Sequence, residues 1–195
     1  MWVSIKIAWL HRLTLVLALL MAVPAYSTST EPEPALLQLL KNAIAGDAGF
    51  EDRFHAEVWL LDMSNRLEPF ISDPGSRLKL LKTVHYEAKR VNLAPELVLA
   101  LIEIESRFDQ FAISVSGARG LMQIMPFWLD EIGISDKNLF KIRTNLRMGC
   151  TILRYYMDME SNDLMRALAR YNGSLGRQTY SIKIIEALNT RWFKQ

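Results

Sequence analysis

The chain has 195 residues, a length that suits one domain with an export segment and a short extension. Half of the residues are hydrophobic and 23% are charged, a balance that excludes a disordered protein and allows a sizeable core. The net charge is +2, but residues 26–76 carry −6 and residues 77–195 carry +6. The basic part suits a polyanionic partner such as nucleic acid, anionic lipid or cell-wall polymer, unless its charges only form solvated faces.

The first 25 residues have the three-part pattern of a secretory signal. Lys6 and Arg12 precede the uncharged run LTLVLALLMAV at residues 13–23, and small residues suited to signal peptidase follow. The run is too short for a comfortable membrane span. We predict export with cleavage after Ala25. An uncleaved anchor is the alternative, because residues 7–10 could lengthen the apolar stretch.

A linker and a short helical extension follow the predicted signal. Residues 26–35 are polar and contain prolines, so we predict a flexible linker. Apolar residues then recur at helical spacing in two stripes within residues 36–61. Pro69 and the run SDPGS at residues 72–76 break the chain, which places a domain boundary after residue 76. The acidic extension 36–76 could pack on the next domain, cover its groove or bind an envelope protein, and we favour packing.

The pattern of residues 77–195 predicts a mainly α domain. Helices are expected from residue 77 to about residue 91, from Pro95 to Arg107, and after Pro126 through Ile132. Three further apolar stripes at helical spacing follow: Leu146, Cys150, Leu153 and Met157; Leu164, Ala167, Leu168 and Tyr171; Tyr180, Ile184 and Leu188. No strand alternation longer than a few residues is present.

Glu105 lies at the closing turn of the predicted helix 95–107, which is apolar on most sides. A carboxylate there loses hydration, so we expect its pKa to rise. A raised pKa lets a general acid keep its proton near neutral pH. The pattern leaves open a pairing with Lys89 or Arg107 instead. For Glu103, on another face of the helix, it favours a solvent or salt-bridge role.

The sequence indicates no metal and no cofactor. Cys150 is the single cysteine, which excludes an internal disulfide, and we expect it to be buried as a small hydrophobic side chain. His11, His55 and His85 lack metal-ligand spacing. No nucleotide-binding loop and no serine-hydrolase elbow is present.

Three ordered motifs carry a family resemblance. The stretch ESRFDQFAISVSGARGLMQIMP at residues 105–126 resembles the signature of the lytic transglycosylases related to goose-type lysozyme, in which ES closes a helix and GLMQ follows. Asn145 and Gly149 resemble the N-x-x-x-G helix of that family, and ARYNGS at residues 169–174 resembles its A-x-YN-A-G motif. The resemblance covers roughly residues 77–180 and implies a lysozyme-like helical fold.

The resemblance implies roles for individual residues by position. Glu105 would be the only catalytic carboxylate. Substrate contacts are implied for Ser114, Met122, Gln123, Met125, Tyr171, Asn172 and Tyr180, and supporting roles for Ser106, Gly117 and Gly120. Ser114 and Gln123 would hydrogen-bond N-acetyl groups, and Tyr171 would place its hydroxyl near Glu105. Met122 could instead be plain core, and Asn172 could simply end a helix.

The implied reaction cleaves the β-1,4 bond between N-acetylmuramic acid and N-acetylglucosamine in peptidoglycan strands. Glu105 would protonate the bridging oxygen and then take the proton of the muramyl C6 hydroxyl, which gives a 1,6-anhydro product without water. One alternative is a hydrolytic muramidase in which Asp109 or Asp130 serves a water. Another is a non-catalytic wall-binding or assembly module of an envelope machine. We expect a periplasmic or envelope location, with no nucleic acid partner and no membrane span once the signal is removed.

Overall fold

The computed structural model describes residues 53–132 and 138–193, without the side chains of residues 53–58 and 131–132. The predicted signal, the linker and the first stripe of the extension lie outside these residues. In the described ranges, no helix combines the length and the apolar character that crossing a bilayer requires.

Seven α-helices and a terminal π-helix form the described part of the chain. They are α1 (Arg53–Leu67), α2 (Pro74–Arg90), α3 (Pro95–Ser106), α4 (Phe127–Ile132), α5 (Ile142–Met159), α6 (Leu164–Tyr171), α7 (Thr179–Ala187) and the π-helix Leu188–Trp192. Two isolated β-bridges join Arg119 to Ile113 and to Ile124 in the loop between α3 and α4. The mainly α prediction is confirmed.

The helix boundaries near the site follow from local chemistry. Asp73 caps α2, because its carboxylate accepts the N–H of Ser76 at 2.7 Å. Pro95 occupies the first turn of α3, where its missing N–H is harmless. Arg107 and Phe108 both have positive φ angles, of 50° and 66°, and turn the chain sharply at the end of α3. The catalytic candidate of the sequence therefore lies next to a tight reversal.

The central element of the core is α3. Residues 97–102 of this helix are all buried, as the run of apolar residues predicts for a helix enclosed by others. Met63 and Leu67 of α1 are completely buried in the same hydrophobic cluster. This part of the extension therefore packs on the helices that follow. The boundary placed after residue 76 stays a prediction.

The chain returns to α3 at its carboxyl end. Trp192 is completely buried, and its indole N–H donates to Glu103 at 2.7 Å. Its ring lies 5.5 Å from that of Phe108, measured between centroids. Glu103 also pairs with Arg191 at 2.6 Å, which is the salt-bridge role predicted for it. The last described residues thus close the core beneath the site.

A buried ionic cluster joins α2 to α5. Glu87 is fully buried and contacts Arg147 at 3.0 Å and Arg90 at 2.8 Å. Arg90 also donates to the hydroxyl of Thr151 at 2.8 Å. Cys150 is buried as expected, and burial raises the pKa of its thiol. These contacts fix α5, the helix that carries Asn145 and Gly149.

Candidate active site

Glu105 lies in a cleft of about 460 Å³ between the end of α3 and the segment that joins α6 to α7. Its side chain is half-buried. The described residues that line this cleft are Ile104, Glu105, Asn172, Ser174, Arg177, Thr179, Tyr180 and Lys183. Three predicted site residues, Glu105, Asn172 and Tyr180, are therefore brought together.

The cleft keeps Glu105 largely protonated below neutral pH. Burial raises the pKa of its carboxyl to about 7, while the hydrogen bond donated by the Tyr180 hydroxyl acts in the opposite direction. The pKa rise expected from the sequence is therefore found. The ion pair with Lys89 or Arg107 that the sequence left open is not found among the described residues, because neither cation contributes to the pKa of Glu105. Near pH 7 the side chain can both give and take a proton.

Two tyrosines lie near Glu105, and their hydroxyl groups donate to different acceptors. Tyr180 donates directly to Oε1 of Glu105. Tyr171 donates to the backbone carbonyl of Met122 at 2.8 Å. Burial, followed by the nearby charge of Glu105, raises the pKa of Tyr171. Tyr171 is therefore within electrostatic reach of the carboxyl, but its hydroxyl holds the loop.

Asn145 fixes the loop that carries the GLMQ segment. Its side-chain oxygen accepts the N–H of Met122 at 2.8 Å, and its nitrogen donates to the carbonyls of Arg119 and Leu139, each at 2.9 Å. Gly120 has a φ of 75°, and a Cβ there would lie 2.5 Å from Nδ2 of Asn145. A glycine is required at this position because any side chain would displace Asn145.

The side chain of Met122 extends from this loop into the hydrophobic core. Its side chain is completely buried, and a Cβ on Gly149 of α5 would lie 2.3 Å from its sulfur. Met125 is only partly buried and packs at the edge of the core. Ser106 connects the loop to α3 by donating to the carbonyl of Leu121 at 2.8 Å. The structure therefore places Met122 in the core and not on an open wall of the cleft.

Ser114 and Gln123 hold the same loop through hydrogen bonds to its backbone. The Ser114 hydroxyl accepts the N–H of Ala118 at 3.0 Å. The Gln123 amide nitrogen donates to the carbonyl of Gly120 at 2.8 Å. Gly117 turns the chain between the two bridged segments with a φ of 86°. The contacts to N-acetyl groups predicted for Ser114 and Gln123 stay predictions.

Five residues that line the cleft had no predicted role: Ile104, Ser174, Arg177, Thr179 and Lys183. Ser174 ends the ARYNGS motif and the next three residues named follow it, and all four come close to Glu105 only because α7 packs against α3. Asn172 lines the cleft and also caps the end of α6. Arg177 and Lys183 lie close to the motif in the sequence, but their spacing does not indicate that they line a cleft.

A second carboxylate is not among the described residues that line the cleft. Asp109 is exposed and accepts the N–H of Phe111 at 2.8 Å, which stabilises a turn. Asp130 is exposed on α4. Glu105 is thus the one carboxyl group that the described part of the chain presents there.

Comparisons with known proteins agree with the motifs. Residues 82–191 match the family model described as Transglycosylase SLT domain. A segment of 106 residues is 29% identical to a transglycosylase of Enterobacteria phage PRD1 and covers 54% of this chain and 39% of that protein. A segment of 87 residues is 34% identical to membrane-bound lytic murein transglycosylase F of Desulfosudis oleivorans, covering 42% of this chain and 19% of the relative.

A solved structure is also similar, the inactive mutant of lytic transglycosylase Slt from Pseudomonas aeruginosa. It has 26% sequence identity and a TM-score of 0.44, and the match covers 57% of this chain and 22% of that chain. The chain spans less than two fifths of the length of each of these relatives. The family match extends over more than half of the chain and includes Glu105, the GLMQ loop, Asn145 and Tyr180. The chain belongs to the transglycosylase SLT domain family.

Proposed function

We propose that this protein is a peptidoglycan lytic transglycosylase in which Glu105 is the general acid and then the general base. The observation that carries the proposal is the state of this carboxyl. It is half-buried in a cleft, its pKa is raised to about 7, and it is the one carboxylate among the described lining residues. An acid of that pKa donates a proton efficiently near neutral pH.

The reaction begins with the protonated carboxyl of Glu105. It gives its proton to the oxygen that joins N-acetylmuramic acid to N-acetylglucosamine, and the bond from muramyl C1 to that oxygen breaks. The glucosamine leaves with a hydroxyl group, while the acetamido oxygen of the muramyl sugar stabilises the cationic C1. A second carboxylate is then dispensable, as in other substrate-assisted glycosidases.

The second half of the reaction returns the proton to Glu105. The carboxylate takes the proton of the muramyl C6 hydroxyl, and the C6 oxygen bonds to C1 to close a 1,6-anhydro ring. Nucleophile and electrophile belong to one sugar, so the step gains the entropic advantage of an intramolecular reaction. The carboxylate that starts this step is the form that the hydrogen bond from Tyr180 stabilises, so Tyr180 favours the first proton transfer, in which that carboxylate is formed.

The proposed setting is the bacterial cell envelope. The signal-like pattern of residues 1–25 supports export, and several relatives are named membrane-bound lytic murein transglycosylases. Glycan strands of peptidoglycan are the proposed partner. An envelope protein bound by residues 36–76 remains a further part of the hypothesis.

The test is digestion of purified sacculi followed by mass spectrometry. The parent protein should release 1,6-anhydromuramyl products, which are lighter by one water than hydrolysed products. Glu105→Gln should abolish release and keep the fold. The matched control is Glu186→Gln, the same chemical change at an exposed position of α7, which should retain activity. Equal digestion by Glu105→Gln would disprove the assignment, and products that contain the extra water would identify a hydrolytic muramidase instead.

A further inference from the structure

Two cations line the cleft without pairing to a carboxylate. Arg177 and Lys183 are both exposed and both belong to the cleft lining. Within residues 53–132 and 138–193, neither side chain takes part in an ion pair. Other arginines of the same domain are paired, for example Arg166 and Arg170 with Glu160. The cleft therefore presents positive charge that the described carboxylates do not neutralise.

The two cations do not serve to hold the charge of Glu105. The pKa of Glu105 is set by burial and by the hydrogen bond from Tyr180, and neither Arg177 nor Lys183 is among these causes. A cation beside the carboxyl would lower that pKa and reduce the fraction of protonated acid. The two side chains therefore remain available for another anion.

Two polar groups beside these cations also lack hydrogen-bond partners: the Ser174 hydroxyl and the first turn of α7. The hydroxyl oxygen of Ser174 is buried at the cleft and has no hydrogen-bond partner in the described part of the chain. A buried hydroxyl in this state is costly unless a ligand or water satisfies it. Thr179, the first residue of α7, lines the cleft, and Gln178 makes no side-chain cap to this helix, so the positive end of α7 lies uncapped at the cleft.

We infer that Arg177 and Lys183, with Ser174 beside them, form an anion-binding subsite that recognises carboxylates carried by the muramyl sugars of the glycan strand. This inference rests on the proposed function, and it names the feature by which the cleft distinguishes its substrate. N-acetylglucosamine carries no anionic group, whereas each peptide-free muramyl sugar carries a lactyl carboxylate. A guanidinium and an ammonium group bind carboxylates through charge-assisted hydrogen bonds.

Two sources of the carboxylate share this chemistry. In a peptide-free strand the lactyl group is ionised. In a peptide-bearing strand the lactyl carboxylate has become an amide, and the negative charges belong to the stem peptide. The test therefore uses both kinds of strand, together with peptide-free strands whose lactyl carboxylates have been converted to neutral methyl amides.

Binding is measured by isothermal titration calorimetry on the full chain carrying Glu105→Gln, so that the strands are not consumed. The test variant adds Arg177→Gln and Lys183→Gln. The matched control adds Lys79→Gln and Lys82→Gln, two exposed positions of α2 that change the net charge equally. The test variant should bind carboxylate-bearing strands about three- to tenfold more weakly than the control, the range that two exposed ion pairs allow. Both variants should bind the neutral methyl-amide strands alike.

The outcomes separate the subsite from the proposed reaction. A loss of affinity confined to peptide-free strands identifies the lactyl carboxylate, and a loss confined to peptide-bearing strands identifies the stem. Equal binding by test and control variants, an equal loss for the neutral strands, or no measurable binding of any anionic strand overturns the subsite. Digestion of sacculi by the parent protein is scored separately. If that digestion yields anhydro products while the subsite test fails, only the subsite is wrong.

Discussion

The loop side of the domain, where the GLMQ segment is held, and the helix side of the cleft differ in how their polar groups are used. On the loop side, Asn145, Tyr171 and Ser106 are bound to backbone atoms, and Gly149 is in contact with a buried methionine. On the helix side, the segment 172–183 carries exposed cations and an unpartnered hydroxyl. The named polar groups of the loop side are already hydrogen-bonded within the protein, whereas the helix side has polar and charged groups that can bind a substrate.

The surroundings of Glu105 explain how the pKa of this one carboxyl group is kept raised. Glu105 is attached to α3, whose preceding turns are buried. The helix side supplies Tyr180 as its hydrogen-bond donor. Burial of the acid favours its raised pKa, and the open polar groups of the helix side favour ligand contact.

The largest expected effect comes from breaking the loop side at Asn145. Asn145→Ala removes partners of three backbone groups in a buried region, so we expect a loss of about 3 kcal/mol or more in the free energy of unfolding. Urea denaturation measures it. The matched control is Asn189→Ala, an exposed position in the π-helix, which should change stability by less than about 0.5 kcal/mol. Equal effects of the two changes would contradict the role assigned to Asn145.

Replacing the acid should stabilise the fold at high pH. Folding raises the pKa of Glu105 from 4.5 to about 7, so the folded state holds the proton more tightly and its stability falls as pH rises between these values. Glu105→Gln removes that cost. We expect a gain of about 3 kcal/mol at pH 8 and almost none at pH 4, from the size of the pKa shift.

The measurement for this prediction is the free energy of unfolding of parent and variant across that pH range. Glu186→Gln serves again as the control, because its side chain is exposed. A gain that is the same at pH 4 and pH 8 would show that the carboxyl is not buried in the way described.

A smaller effect is expected where the loop meets α5. Gly149→Ala places a Cβ 2.8 Å from the Cβ of Met122, a contact that the flexible end of the methionine cannot relieve. Overpacking of this kind costs about 1–3 kcal/mol. Gly75→Ala is the control, since its Cβ meets only Asp73, at an ordinary 3.4 Å. Thermal denaturation compares the two, and a Gly149→Ala protein as stable as Gly75→Ala would contradict the packing.

The smallest effect concerns proton transfer. Tyr180→Phe removes the hydrogen bond that lowers the pKa of Glu105, so that pKa should rise further above its present value of about 7. Because the acid must be protonated in the free enzyme, the decline of kcat/KM at high pH should move to higher pH. Tyr171→Phe should reduce stability without this displacement, since its hydroxyl bonds to Met122. Identical pH profiles for parent and Tyr180→Phe would contradict the role of Tyr180.

Much of the local structure could be predicted from the sequence. The helices around Pro95, Leu146 and Leu164 lie where the apolar spacing places them, because spacing of 3.6 residues is imposed by the helix itself. Local sequence patterns do not predict contacts between residues that are far apart in the chain. Trp192 lies beyond the last predicted stripe, yet it is completely buried and bound to Glu103, and no local signal indicates that contact.

The sequence by itself determined that an acid ends an apolar helix, since this follows from the composition of residues 95–107, and it favoured a raised pKa without excluding an ion pair with Lys89 or Arg107. Only the tertiary structure decided which groups meet that acid. It selected Tyr180 as the donor, turned Tyr171 and Met122 toward the loop and the core, and brought Arg177 and Lys183 to the cleft. The physical reason is that helix formation depends on neighbours three or four residues apart, whereas the lining of a cleft depends on how α3 and α7 pack.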